Sequence, residues 1–429
     1  MKKNLYLIVA LFVSFQTFSQ QTPAPKQTET VTILGAIAHL GNGKVIKNSF
    51  IQFENGVLTV VDDASLTKKP IEGKVIKATG KHLYPGFITM NSTLGLVEID
   101  AVKATIDERE IGAFNPNIRS IIAYNPESKV TETVRANGVL IGQITPRGGR
   151  VSGTSSVVQF DAWNYEDALI KEDDGIHLNW PATFYTFGWW ANGTTLKENK
   201  NYNKQVQEIE DFFDSSKFPP VNATNLKQKA LQGLYNGTKI LYVHANNETE
   251  ITDAISFKNK NKIKKMVIIG GYEAIKVADL LKKNNVAVVL KRIHSLPNTD
   301  DEDIKLPFKL AKKLDDTGIL VALDTAGDME RMNTRNLPFN AGTTVAYGLD
   351  YEKAVAMLTG NPAKIMELDT RLGTLEVGKD ATLIISTGDA LDMRGNNIET
   401  AFIQGREINL DTHQKQLYRK FRKKYELER

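Results

Sequence analysis

The sequence has 429 residues, of which 41% are hydrophobic and 24% are charged. This is the composition of a globular protein with enough apolar side chains for a sizeable core. The formal net charge of +4 is small for this length and gives no indication of nucleic-acid binding. Because the sequence contains no cysteine, disulfides, thiolate metal ligands and cysteine nucleophiles are excluded.

The N-terminus has the pattern of a secretory signal peptide. Lys2 and Lys3 precede an apolar run from Leu5 to Phe15, and the small residues Thr17 and Ser19 follow it. The apolar run is shorter than the roughly 20 residues that span a bilayer. We therefore predict that residues 1–19 are a cleaved signal peptide and that the protein is exported to the periplasm or the cell surface. No other segment has the length of a membrane span.

Short strands follow a polar leader. Residues 20–30 are polar with two prolines, which predicts a flexible leader. Residues 31–82 contain short β-branched runs separated by the turns Gly41-Asn42-Gly43 and Glu54-Asn55-Gly56. This pattern is typical of hairpins in a small β-domain.

Residues 83–366 have a different pattern, in which apolar runs of strand length alternate with helical stretches. Such runs indicate a parallel sheet buried on both faces. Over this length a (β/α) barrel is the simplest architecture, and a doubly wound open sheet is the alternative. The runs are Val139–Ile144, Ile240–Val243, Met266–Ile269, Val286–Leu290 and Ile319–Leu323.

Short strands return in residues 367–410, so the β-domain is predicted to be split, with the barrel inserted between its halves. Residues 411–429 form a basic helix with Leu417, Phe421 and Tyr425 on one face. We expect this helix to pack through its apolar stripe, with contact to nucleic acid or anionic lipid as the alternative.

Three segments together resemble the amidohydrolase superfamily, particularly its imidazolonepropionase-like branch. They are Lys81–Ile88, Leu358–Ala363 and Arg371–Ala381. Two further segments, Phe114–Asn117 and Arg147–Ser156, are similar to a secreted bacterial subgroup. The resemblance implies an α/β fold in which a TIM-like (β/α) barrel is inserted into a split small β-sandwich.

The resemblance also implies a metal centre, whose ligands this sequence has largely replaced. Family members bind one or two divalent metals through His-x-His on strand one, Lys or Glu on strand four, His on strands five and six, and Asp on strand eight. The metal activates water for hydrolysis of C–N bonds. Here Asn91 and Thr93 stand where the two strand-one histidines are expected, and Gly270 stands at the strand-six position. Of the histidine positions, His244 alone keeps its residue.

The remaining ligand positions are not filled clearly. The family aspartate corresponds most closely to Ala326, so Asp324 or Asp328 would serve only if the strand end were shifted. No residue is assigned to strand four, and the other histidines, including His177, lie outside the expected positions. Since a tetrahedral site needs at least three protein ligands, we predict no metal, no cofactor and no catalytic residue.

These features predict a pseudoenzyme that serves in binding or assembly. One alternative is an active hydrolase of non-peptide C–N bonds with an atypical site at the barrel mouth. The other is a non-catalytic subunit paired with a metal-competent relative. We expect a homo-oligomer or a complex with another exported protein, with one candidate surface in an aromatic cluster formed by Phe184, Tyr185, Phe187, Trp189 and Trp190.

Overall fold

The computed structural model describes residues 22–187, 195–217, 225–327 and 329–425. The predicted signal peptide lies outside these ranges, so its cleavage stays a prediction. Among the described helices, none is long and apolar enough to cross a membrane.

Two sheets form the β-domain, and the larger one combines strands from both ends of the chain. A four-stranded sheet has the order β5-β4-β1-β6, and a six-stranded sheet has the order β20-β19-β18-β7-β2-β3. The strands are β1 (Val31–Leu34), β2 (Ile37–His39), β3 (Val45–Ile46), β4 (Ser49–Glu54), β5 (Val57–Asp63), β6 (Lys74–Lys77), β7 (His82–Pro85), β18 (Leu383–Ser386), β19 (Ile398–Ile403) and β20 (Arg406–Glu407).

The β-domain has its own apolar core, because side chains from both sheets meet between them. Phe53 of β4 and Phe402 of β19 make an edge-to-face contact there, with ring centroids 5.0 Å apart. Antiparallel pairing of β18 with β7 joins the two ends of the chain directly. The predicted split β-domain is therefore present.

The rest of the chain forms a barrel of eight described strands. They follow one another around the sheet in chain order, and they are β8 (Phe87–Ser92), β9 (Val139–Ile144), β10 (Val151–Gln159), β11 (Leu169–Asn179), β14 (Ile240–Ala245), β15 (Met266–Gly270), β16 (Ala287–Leu290) and β17 (Val321–Leu323). A separate hairpin contains β12 (Phe184–Phe187) and β13 (Thr195–Glu198). Asn91 at the end of β8 donates to Asp324 after β17, so the first and last strands meet.

The described helices, apart from the C-terminal one, bury side chains against the rest of the fold. The described α-helices are α1 (Lys129–Arg135), α2 (Tyr165–Ala168), α3 (Tyr202–Asp214), α4 (Leu226–Asn236), α5 (Glu248–Lys260), α6 (Ala278–Lys283), α7 (Leu306–Asp316), α8 (Glu330–Asn333), α9 (Leu337–Ala346), α10 (Tyr351–Ala356), α11 (Gly360–Ile365) and α12 (His413–Lys424). Single turns of 3-10 helix occur at Lys103–Thr105, Ser120–Ala123, Ala274–Val277 and Thr334–Asn336.

The third barrel strand departs from the parallel arrangement that the sequence predicts. β10 pairs antiparallel with both β9 and β11, whereas the other neighbouring strands of the barrel are parallel. A short connection containing Gly148 and Gly149, both with positive φ, joins β9 to β10. Such a connection suffices because an antiparallel strand needs no helical crossover.

The two ends of the described chain also differ from expectation. The leader was predicted to be flexible, yet the Ala24 N–H donates to Asp161 and the Gln27 amide donates to the carbonyl of Phe53. At the other end, α12 buries none of its residues. Within the described chain the helix therefore does not pack through its apolar stripe, and packing against a partner stays a prediction.

Candidate functional site at the barrel mouth

A cavity of about 260 Å³ opens at the carboxyl ends of the parallel strands. Its lining includes Asn91, Arg147, His244, Gly270 and Lys291. A larger cavity of about 810 Å³ adjoins it and shares several lining residues, among them Gly270 and Lys291. The loops that follow the strands meet at this end of a barrel, which is where such folds place their sites.

Asn91 makes four hydrogen bonds at the mouth. Its backbone N–H donates to Gln143 Oε1 at 3.1 Å, and its amide Nδ2 donates to Asp324 Oδ2 at 2.9 Å. Arg147 donates to its side-chain Oδ1 at 2.9 Å and to its carbonyl oxygen at 2.6 Å. Its φ of 51° lies in the left-handed region, which Asn tolerates better than most residues. Asn91, at the position of the expected first histidine, thus hydrogen-bonds to three other side chains.

Thr93, the second replaced position, is bonded to Glu330. The Thr93 hydroxyl donates to Glu330 Oε2 at 2.8 Å, and its N–H donates to Oε1 at 3.1 Å. Glu330 also accepts from the Ser92 hydroxyl at 2.8 Å and lies 3.5 Å from the Arg147 guanidinium. The carboxylate of Glu330 therefore stabilises the end of β8 through these hydrogen bonds.

His244 lies on β14, the fifth barrel strand, as predicted, and it contacts His177. The two ring nitrogens, His177 Nδ1 and His244 Nε2, are 3.0 Å apart. Removal from water and the charges of Arg147 and Lys291 lower the pKa of His244 to about 3. The pKa of His177 is also lowered well below its usual range by burial and by His244. Both imidazoles are therefore neutral at pH 7.

The histidine on β11 corrects one expectation. His177 was placed outside the ligand positions, but it lies on the fourth barrel strand, which supplies a ligand in the family. Its ring stacks on Tyr242 with centroids 4.7 Å apart. Its Nε2 is buried and has no hydrogen-bond partner among the described residues.

Asp324 follows β17 directly and is buried beside Asn91. Its carboxylate accepts from Asn91 and from the Ala326 N–H at 2.8 Å. Burial raises the pKa of Asp324 to about 6, although these hydrogen bonds and the charge of Lys291 oppose the increase. Asp328 lies outside the described residues.

The backbone conformation of Gly270 and the atoms around it leave no room for the side chain of a ligand. Its φ is +108°, a conformation that other residues rarely adopt. A Cβ added there would lie 2.5 Å from Asn246 Oδ1 and 2.9 Å from the Ala245 carbonyl oxygen. The strand-six position is therefore remodelled as well as substituted.

These residues do not fit the metal that the fold family implies. Among the described residues, no group of three or more His, Cys, Asp or Glu side chains is placed to hold a metal ion. His177 and His244 use ring nitrogens on each other, and the Arg147 guanidinium is bonded to Asn91. Positive charge at this position opposes the entry of a divalent cation.

The aromatic cluster is only partly described. Phe184 and Tyr185 lie on β12 and are exposed. Phe187 ends that strand, and Trp189 and Trp190 lie outside the described residues. Phe184 lines the larger cavity, so the described part of the cluster lies beside the mouth.

Comparisons with known proteins agree with this architecture. Residues 239–408 match the amidohydrolase family model. The chain is similar to an amidohydrolase from Thermotoga maritima, with 24% identity and a TM-score of 0.75 over 88% of this chain and 99% of that one. It is also similar to a Xaa-Pro dipeptidase with methionine bound in its active site, with 14% identity and a TM-score of 0.55 over 89% of this chain and 100% of that one.

A zinc-containing structure is among the similar folds. An adenosine deaminase from Xanthomonas campestris with bound zinc shares 13% identity and a TM-score of 0.51 over 94% of this chain and 100% of that one. No curated protein sequence matches the chain. The barrel and the split β-domain are those of these solved structures, and the family model matches the C-terminal part of the barrel together with the returning β-strands. At these identities the solved structures define its fold, and their activities are not carried over.

Sequence reasoning missed three charged or titratable groups at the mouth besides His177. Arg147 lies in the glycine-rich segment Arg147–Ser156, in which no residue was assigned a role in the site. Lys291 follows β16, and Glu330 begins α8. None of the three belongs to a motif, and their proximity depends on loops whose paths the sequence does not specify.

Proposed function

We propose that the chain is an exported superfamily member that has lost metal-dependent hydrolysis and binds a small anionic ligand at its barrel mouth. The observation that carries the proposal is the Arg147 guanidinium, bonded to Asn91 where the family's metal ligands are expected. The signal-peptide pattern of residues 1–19 supports export.

The ligand is expected to be an anion because two cations face the cavity. Arg147 and Lys291 both line it, and both lower the pKa of His244 through their charge. Among the described residues Lys291 has no ion-pair partner within 4.0 Å, whereas Glu330 is already held by Ser92, Thr93 and Arg147. A carboxylate or phosphate would give Lys291 the charge-assisted hydrogen bonds that it lacks.

The experiment is calorimetric titration of the purified protein with acetate, succinate and inorganic phosphate at neutral pH. We expect saturable binding of at least one of these anions. Lys291→Met keeps the aliphatic stem and removes the charge, so it should weaken that binding by about tenfold or more. Lys283→Met, at the exposed end of α6, is the matched control and should bind as the unmodified protein does.

Absence of binding for every anion, or equal loss in the Lys283→Met control, would contradict the proposal. Binding that is unchanged in Lys291→Met would place the anion elsewhere on the protein.

A metal-free hydrolase is a second candidate, and Asp324 favours it. A buried carboxyl with a pKa of about 6 is suited to accept or donate a proton near neutral pH. The test is a survey of amides, imides and cyclic C–N substrates with the purified protein. Turnover that is abolished in Asp324→Asn and retained in Lys283→Met would establish this activity in place of the pseudoenzyme.

Assembly is compatible with either activity. Phe184 and Tyr185 are exposed beside the larger cavity, and exposed aromatic residues often anchor interfaces. We propose a homo-oligomer or a complex with another exported protein, to be tested by native mass measurement. The Phe184→Ala/Tyr185→Ala double variant should lose the partner, and a protein that is monomeric and without a partner would count against assembly.

A further inference from the structure

The C-terminal helix α12 presents an apolar face that the described chain does not cover. Leu417, Phe421 and Tyr425 are 38%, 46% and 61% exposed, and none of the helix residues is buried. These three residues are spaced four apart, so they lie within an arc of about 80° on the helix surface. An apolar stripe of this kind is usually buried against something.

The same helix is strongly basic. Residues 413–424 contain six Lys and Arg residues and no Asp or Glu. At helical spacing, Lys420 and Lys424 border the apolar stripe on one side, and Lys415 and Arg422 border it on the other. The Lys424 Nζ lies 5.1 Å from the centroid of the Tyr425 ring. Arg419, on the opposite face, pairs with Asp411 at 2.6 Å.

We infer that α12 binds the surface of an anionic lipid bilayer. A helix of this type lies in the plane of the interface, with its apolar side chains in the headgroup region and its flanking lysines extended toward lipid phosphates. This arrangement buries the stripe formed by Leu417, Phe421 and Tyr425, and it brings the lysines beside that stripe close to lipid phosphates. Attachment through one short helix is reversible and depends on salt concentration.

Charge favours the bilayer over the other occupants of this face. A second copy of the helix would bring six positive charges against six, which opposes pairing. Nucleic acid would neutralise the lysines but would leave the apolar stripe in water. An anionic bilayer both buries the apolar stripe and attracts the basic side chains.

The test is co-sedimentation of the full-length mature protein with vesicles of equal parts phosphatidylglycerol and phosphatidylcholine, compared with vesicles of phosphatidylcholine alone. We expect binding to the anionic vesicles at low ionic strength and its loss at high salt. Lys415→Gln/Lys420→Gln/Lys424→Gln should weaken this binding by roughly ten- to a hundredfold. Phe421→Ser should weaken it without changing the charge.

A matched variant controls for net charge. Lys68→Gln/Lys69→Gln/Lys77→Gln removes the same three charges from exposed positions of the β-domain and should bind the anionic vesicles normally. Because α12 buries no residue and the three β-domain lysines are exposed, all these variants should keep the thermal unfolding midpoint of the unmodified protein.

Equal binding to both kinds of vesicle, absence of binding to anionic vesicles at low salt, or equal loss in the β-domain variant would overturn the inference. A dimer that dissociates in Phe421→Ser would also overturn it, by showing that a second copy covers the helix.

Discussion

Asn91 shows how a replaced ligand position can acquire a structural role. Its side chain lies between a carboxylate that accepts from it and a guanidinium that donates to it. A histidine at this position does not reproduce both bonds in the same geometry. The mouth therefore depends on the amide, and restoring the family's residue would disturb it.

The first prediction concerns the stability that Asn91 provides. Asn91→Ala leaves Asp324 and Arg147 without one partner each, so the free energy of unfolding should fall by about 2 kcal/mol beyond any backbone cost. Asn55→Ala is the matched control, because Asn55 also has a φ of 51° but lies in an exposed turn. Urea unfolding of both variants measures the difference. Equal losses would show that the amide contacts contribute nothing beyond the backbone.

The neutral histidine pair predicts sensitivity to acid. A histidine in an unfolded chain titrates near 6.5, whereas the pKa of folded His244 is about 3. As the pH falls from 6.5 toward 3, the unfolded chain takes up a proton that the folded chain does not, so stability falls. Asp324 acts in the opposite direction, because its folded pKa of about 6 lies above its usual 3.8 and stabilises the fold as the pH falls from 6 to 4. His177 is also neutral in the folded chain, so the stability lost through two histidines as the pH falls exceeds the stability gained through one aspartate.

The second prediction is that His244→Gln flattens this acid profile. Between about pH 6.5 and pH 4 the unmodified protein should lose up to about 1.4 kcal/mol per pH unit more than the variant. Urea midpoints across this range provide the measurement. His413→Gln, an exposed substitution on α12, should retain the original slope. Parallel profiles for His244→Gln and the unmodified protein would contradict the account of the pair.

At the scale of elements, one buried carboxylate connects the barrel with the β-domain. Asp161, after β10, accepts from Arg135 of α1 and from Arg406 of β20, each at 2.9 Å. The leader joins the same group through the Ala24 N–H, also at 2.9 Å. Four separate segments of the chain therefore meet at one side chain.

The third prediction follows from this junction. Asp161→Asn leaves two largely buried arginines without their anion, which should cost roughly 3–5 kcal/mol of unfolding free energy. Asp392→Asn removes the partner of Arg394 in an exposed pair and should leave the unfolding free energy nearly unchanged, because solvent screens that pair. Thermal and urea unfolding report both values. A loss in Asp161→Asn no larger than in the control would show that the junction is not important for stability.

The elements predicted from sequence were those with continuous apolar runs. Val139–Ile144 and Met266–Ile269 lie within β9 and β15. β10 was missed because its buried side chains are largely Ser and Thr, as in Ser152, Thr154 and Ser155, and polar residues beside glycines indicate a loop. β11 contains the charged run Lys171–Asp174 and a break in register near Asp173, so His177 was not recognised as a strand residue.

At the scale of the whole molecule, the order of the motifs predicted the inserted barrel, and the ligand positions predicted where the mouth lies. What the sequence did not predict is the chemistry that replaced the ligands. Arg147 and Lys291 follow different strands and Glu330 begins α8, so their proximity arises only when the barrel closes. Charge at the mouth is therefore a property of the fold, whereas the loss of histidines is visible in the sequence.

Metal content tests the central claim most directly. The protein should be produced in zinc-supplemented medium, dialysed and examined by elemental mass spectrometry together with a metal-containing member of the superfamily. Because Asn91, Thr93 and Gly270 supply no ligand and Arg147 places a positive charge at the mouth, we predict far less than one zinc, iron or manganese per chain. One such metal retained per chain after dialysis, and lost in a His244→Gln variant, would contradict the account.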